Sequence, residues 1–339
     1  MTSTSTAVYK FNPISLQWTI PVISGFNNSF INRNEINAVI DSKGKSYIFC
    51  GTDYNEGYST SGGKIFYEMS LFDTTSMSWS TLTLPTYILP RKDYTATLLP
   101  TGSIIYIGGF TKLTPSSAYT FTSFHDILIF DTKSLSWSNK IANGTTIQPR
   151  YGHTAVLIKE GNIIIFGGAT GAAQVYPDLV VLNTNTWLFS IPNVSTVNAP
   201  PSLVRHSANL HNIYMIIAFG RKTSQITVKP YVYSNNIYIF NTETYSWVSS
   251  FNDVNQGTPK NSDGAPTNKG GTSTHQGDLS TDNGNSFTYK IILYVVISIS
   301  FVVYSNPAIV YLNQAVVHLN PLEPSCGSFE LGYGSFEPK

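Results

Sequence analysis

All five tryptophans of the chain stand at one position of a long repeat. Trp18, Trp79, Trp137, Trp187 and Trp247 are separated by 61, 58, 50 and 60 residues. A period of that length means a fold assembled from repeated supersecondary units. Four of the tryptophans follow an apolar run that ends in Asp or Asn six residues earlier: Phe11-Asn12, Phe72-Asp73, Phe130-Asp131 and Phe240-Asn241. In the remaining copy, Leu182-Asn183 before Trp187, the turn is two residues shorter. An Asp or Asn followed by Thr is turn chemistry, because the short side chain bonds the backbone two residues on. The phrase predicts strand, tight turn, then a strand carrying Trp.

Upstream in each unit is an apolar run stopped by glycine: Tyr47 to Cys50-Gly51, Ile104 to Gly108-Gly109, Ile163 to Gly167-Gly168, and Met215 to Phe219-Gly220. Such short runs suit strands buried on both faces. The first pair reads Cys50-Gly51 and the fourth is set at Gly220-Arg221. Upstream again is an arginine. Arg33, Arg91 and Arg150 each precede the glycine-pair position by 17 residues, Arg205 is taken to begin a shortened fourth copy, and Arg221 is the one other arginine. The residues that follow, Asn37 to Val39, Thr95 to Leu98, Thr154 to Leu157 and Ser207 to Leu210, read as the first strand of each unit.

Each unit therefore holds four short strands. A single four-stranded sheet cannot bury both faces, so the units pack side by side around an axis as the blades of a propeller. The order Arg, then His-Thr/Ser-Ala, apolar-Gly-Gly, Asp-Ile/Leu-apolar-Phe-Asp and Trp resembles the kelch repeat. The generous loops are similar to those of the attractin/muskelin-like and galactose oxidase central-domain group. The expected fold is thus all-β: a kelch-type β-propeller over residues 7–250, with blades at about 31–82, 89–140, 148–190 and 203–250. A partial blade at 7–18 supplies the last two strands only. Its missing strands could come from the C-terminal region, from a second chain or from further sequence.

Residues 251–286 are Gly, Thr, Ser, Asn, Asp and Lys with almost no large apolar side chain, the composition of a flexible linker. The run 291–312 is uncharged, and as a helix would span about 33 Å against roughly 30 Å of hydrocarbon. It is read as a single-pass membrane helix followed by a tail, 313–339. Lys290 and the tail glutamates leave its sidedness open. The competing reading is β, because the residues from Lys290 to Val303 alternate with period two and could supply the missing strands.

Charged residues make up only 12% of the chain and the formal charge is +1, without a basic run, so a nucleic-acid partner is not expected. Residues 1–9 lack the basic start and apolar stretch of an export signal. The sequons at Asn27, Asn143 and Asn193 are expected by accident in so Asn- and Ser-rich a chain. Galactose oxidase chemistry, implied by the resemblance, needs two His, two Tyr and a Cys. Cys50 lies in a strand and Cys326 in the tail, while His153 and His206 occupy the repeated first-strand position. His125, His211, His275 and His318 have no ligand spacing. No catalytic residue, cofactor or metal site is assigned, and the chain is expected to be non-catalytic, with an oxidase or glycan-processing enzyme as the alternative. The candidate binding residues are Arg33, Arg91, Arg150 and Arg205, converging on one mouth of the ring to meet a protein, peptide or glycan. The alternative is that each arginine braces carbonyl oxygens of the blades. Trp18, Trp79, Trp137, Trp187, Trp247 and the glycines Gly51, Gly108, Gly109, Gly167, Gly168 and Gly220 are expected to be structural.

Overall fold

The computed structural model describes residues 8–12, 15–26, 33–53, 63–114, 116–171, 173–225 and 231–251, and the backbone of 294–297 and 315–318. Four antiparallel sheets follow one another along the chain. The first blade is Ala38–Ile40, Lys45–Phe49, Glu68–Asp73 and Ser78–Thr83, paired in chain order. The second is Thr95–Leu98, Ser103–Ile107, Asp126–Asp131 and Ser136–Ile141. The third is Thr154–Leu157, Asn162–Phe166, Leu179–Asn183 and Leu188–Ser190, and the fourth Ser207–His211, Tyr214–Ala218, Ile237–Asn241 and Ser246–Val248. The first strands lie innermost, and each runs beside the first strand of the next blade.

The unbroken apolar runs follow from this stacking. Ile104 and Tyr106 face Phe49, Met69 and Leu71 of the first blade, whereas the alternating Ile105 and Ile107 face Ile163, Ile165, Val180 and Leu182 of the third. The third blade repeats the arrangement, turning Ile164 and Phe166 towards Met215, Ile217 and Phe240 of the fourth. With both faces of a blade buried, neither parity of the strand is left for polar side chains.

The turn chemistry appears as expected. The side-chain oxygens of Asp73, Asp131, Asn183 and Asn241 each accept two backbone N–H groups, at 2.8 to 3.1 Å. The Thr that follows each of them donates its hydroxyl to a carbonyl in the neighbouring turn: Thr74 to Gly44, Thr132 to Gly102, Thr184 to Gly161 and Thr242 to Ile213. These N–H donors hold the Asp73 and Asp131 carboxyls below the usual range.

The glycine pairs are also explained locally. Gly108 and Gly109 have φ of +66° and +80°, and a Cβ on Gly109 would sit 2.3 Å from the Lys92 carbonyl oxygen. The left-handed conformation recurs at Cys50-Gly51, Gly167-Gly168 and Phe219-Gly220. The fourth pair is therefore Phe219-Gly220 and not Gly220-Arg221. One further feature was not foreseen. Asn143-Gly144 adds a parallel fifth strand to the outer edge of the third blade, and Ser24 bridges Ser78 of the first blade in the same way.

The N-terminal pair of strands, Lys10–Asn12 and Gln17–Thr19, forms a hairpin. Its Trp18 is 45% exposed, against 7% for Trp247. Within the run expected to be a membrane helix, the four described residues Tyr294–Ile297 are instead a strand, paired with Ala315–His318, which runs beside Ser207–His211. The three consecutive β-branched residues Val295, Val296 and Ile297 favour this extended form. The rest of the run lies outside the described residues. Among the described residues, no helix is long and apolar enough to cross a membrane.

Candidate functional site

Strand direction sorts the connections onto two faces. The Asx turns and the turns between first and second strands lie on one face. The segments entering each first strand, the glycine pairs and the long second-to-third-strand loops lie on the other, here called the loop face. Three of these long loops are 52–64, 110–124 and 222–233; the second is described except for residue 115, and residues 54–62 and 226–230 of the other two lie outside the described residues.

The entering segments are tied to one another around the axis. Glu35, Asp93, Gly152 and Arg205 are all left-handed, with φ between +54° and +61°. Asp93 N–H donates to the Glu35 carbonyl at 2.8 Å, Gly152 to Asp93 at 3.2 Å and Arg205 to Gly152 at 2.7 Å. Outside this relay, the glycine-pair amides of Gly51, Gly109 and Gly168 donate to the carbonyls of Arg91, Arg150 and Leu203. The two patterns fix the register. Leu203 holds the position of Arg91 and Arg150, and Arg205 is two residues further on, equivalent to Glu35, Asp93 and Gly152. The four arginines therefore do not share one repeat position.

Three of them are buried. Arg33 pairs with Glu68 and stacks over Phe66 at 4.2 Å. Arg91 points one nitrogen at the Tyr106 carbonyl, 3.5 Å away. Arg150, 0% exposed, donates to the carbonyls of Gly167 at 3.2 Å and Gln148 at 3.3 Å. Burial pushes the guanidinium groups of Arg91 and Arg150 down to about 10.

Arg205 reaches the mouth and meets two carboxylates. It pairs with Glu35 and with Asp93, the latter at 3.0 Å, and Lys92 Nζ lies 2.6 Å from the other Glu35 oxygen. The charges of this cluster balance. Burial, followed by the negative charge of Asp93, raises the Glu35 carboxyl above its ordinary range despite the two cations. Beside the cluster lies an aromatic apron. Tyr119 is approached by Lys92 at 4.3 Å and Lys112 at 4.4 Å, and Phe110 stacks with Phe121 at 4.5 Å and Tyr151 at 5.0 Å. The carboxylates Glu35 and Asp93 were missed by sequence reasoning because their shared repeat position holds a carboxylate only in the first two blades, with Gly152 and Arg205 in the third and fourth.

Three described residues that copper-radical chemistry could use are otherwise engaged, while His275 and Cys326 lie outside the described residues. Cys50 is fully buried, and desolvation pushes its thiol up to about 12. His153 and His206 contact Thr95 and Thr154 of the preceding blades. Among the described residues, no group of three or more His, Cys, Asp or Glu is placed to hold a metal ion.

Residues 115–271 match the family described as the KLHDC2/KLHL20/DRC7 Kelch-repeats domain. The match supports a kelch-repeat family and agrees with the four successive blades. It does not extend to the finer attractin/muskelin-like assignment. Among curated relatives, the chain is 28% identical over 164 residues to acyl-CoA-binding domain-containing protein 5 of Arabidopsis thaliana, covering 45% of this chain and 23% of the relative. It is 24% identical over 226 residues to acyl-CoA-binding domain-containing protein 4 of the same plant, covering 64% and 30%. It is 27% identical over 186 residues to Rho GTPase-activating protein gacHH of Dictyostelium discoideum, covering 53% and 11%. The kelch chain thus spans less than a third of the length of these relatives.

Proposed function

We propose that this kelch propeller is a non-catalytic interaction module that binds a segment of a partner protein on its loop face. The observation that carries the reading is the apron: Phe110, Tyr119, Phe121 and Tyr151 form half-buried, contiguous rings with lysines at Tyr119. Large rings of this kind lose little entropy on binding and dominate interface energetics. An acidic glycan is a weaker fit, because Glu35 and Asp93 already balance Arg205 and Lys92 at the mouth. The C-terminal run enters this reading as strand material, since Tyr294–Ile297 pairs with Ala315–His318. Its alternative, a single-pass membrane anchor, has a separate test in the Discussion.

The test is comparative capture of partners from a native extract. The wild-type chain is set against Phe121→Ala with Lys112→Glu on the loop face, and against Glu243→Ala on the opposite face. Partners lost with the loop-face variant and kept with Glu243→Ala support the reading. The reverse pattern, or stoichiometric copper in the purified protein, overturns it.

A further inference from the structure

The mouth of the propeller is closed in two different ways. Successive blades are joined by the backbone relay Glu35, Asp93, Gly152, Arg205 and by the apolar cores behind it, with the Lys92–Glu35 ion pair added between the second blade and the first. Across the mouth, from the fourth blade to the first, the tie is made by side chains alone: the Arg205 guanidinium donates to Glu35, 170 residues earlier in the chain. A glycine stands in the relay at position 152, and the other three members carry charges that meet one another. A guanidinium fork suits this place because it engages two carboxylates at once, taking Asp93 at 3.0 and 3.3 Å as well as Glu35. Lys92 supplies the second positive charge that the two carboxylates require.

We propose that Arg205 and Glu35 form a clasp across the mouth of the propeller at its loop face, tying the segment that enters the fourth blade to the one that enters the first. This tie rests on charge alone, whereas the three successive joints also have backbone hydrogen bonds and apolar cores, and releasing either partner loosens the two entering segments while the blades stay folded. Removing Arg205 leaves the Glu35 carboxylate, whose side chain is 6% exposed, short of one counter-charge, so the loss is concentrated at the clasp. The proposal is independent of which ligand the loop face takes.

Hydrogen exchange measured on the full chain tests it, with Arg205→Gln, Glu35→Gln and the double variant. The expected result is exchange at least tenfold faster in residues 33–36 and 203–206 in each single variant, with Ser103–Ile107 unchanged. In the double variant the acceleration should be smaller than the product of the single effects, because both substitutions release one tie. Unchanged exchange at 33–36 in Arg205→Gln, multiplicative effects, or acceleration spread equally into Ser103–Ile107 would overturn the clasp. If Arg205→Gln does not fold, Arg205→Lys decides. It keeps the charge but reaches one carboxylate, so partial acceleration confined to the same two segments supports the clasp, and unchanged or uniform exchange overturns it.

Discussion

His206 of the fourth blade meets Thr154 of the third, ring Nε2 to hydroxyl oxygen at 2.8 Å. The arrangement recurs one blade earlier between His153 and Thr95 at 3.2 Å. Both rings are buried at the inner strands, and desolvation drives the His206 imidazole down to about 3 and that of His153 well below 6.5. These histidines fasten blade to blade as neutral rings.

The fastening makes the fold sensitive to acid. A histidine whose folded pKa lies below its unfolded value takes up its proton more readily in the unfolded chain. The stability it contributes is therefore complete above about 6.5 and falls as pH drops from there towards 3. Each ring costs roughly 1.4 kcal/mol per pH unit in that window. Glu35, with its raised pKa, acts in the opposite direction once it protonates. Denaturant unfolding at pH 7, 6, 5 and 4.5 should show a steep decline, and His206→Gln should remove about half of the slope. An unchanged slope in that variant would mean that His206 already carries its charge in the fold.

Tryptophan substitutions should separate complete blades from the partial one. Trp137 packs against Phe130 at 4.7 Å, Phe49 at 5.0 Å and Tyr106 at 5.8 Å, so its ring belongs to the core between the first two blades. Trp137→Ala should cost about 3–5 kcal/mol in chemical unfolding. Trp18→Ala, at a ring 45% exposed, should cost less than about 1 kcal/mol. Equal losses would show that Trp18 is covered in solution.

The parts of the fold legible in the sequence were those that repeat for a local reason. Asp131 binds two amides in its turn whatever surrounds it, and the alternation of Ile104 with Ile105 between two neighbouring cores demands an unbroken apolar run. The arginine register was misread because residue type outweighed spacing. Arg205 has φ +54° and takes the place of Gly152, while Leu203, 17 residues before Gly220, takes that of Arg150. The edge strand Asn143-Gly144 is two residues long and carries no periodicity of its own.

The environment of Arg150 predicts what its loss would do. Its donors satisfy the Gly167 carbonyl in a buried place and the Gln148 carbonyl in a part-buried one. Leaving a buried acceptor unpaired costs about 1–3 kcal/mol. Arg150→Gln should therefore lower stability by about 1–3 kcal/mol, whereas Lys112→Gln on the apron should change it little. A stable Arg150→Gln protein that fails to bind its partner would return Arg150 to a direct binding role.

Truncation separates the two readings of the C-terminal run. The inner strand of the fourth blade, Ser207–His211, has Ala315–His318 beside it, just as each earlier inner strand has its successor. If those residues belong to the ring, ending the chain at Asn285 exposes the edge of the fourth blade and the apolar face behind it. The midpoint of thermal unfolding should then fall by several degrees, and the full chain expressed in cells should be released from membranes by alkaline carbonate. A membrane anchor makes the opposite demand: the full chain resists carbonate, and the truncated propeller melts at the same temperature as the intact one. The extended form of Tyr294–Ile297, in place of the helix a bilayer requires, favours the first outcome.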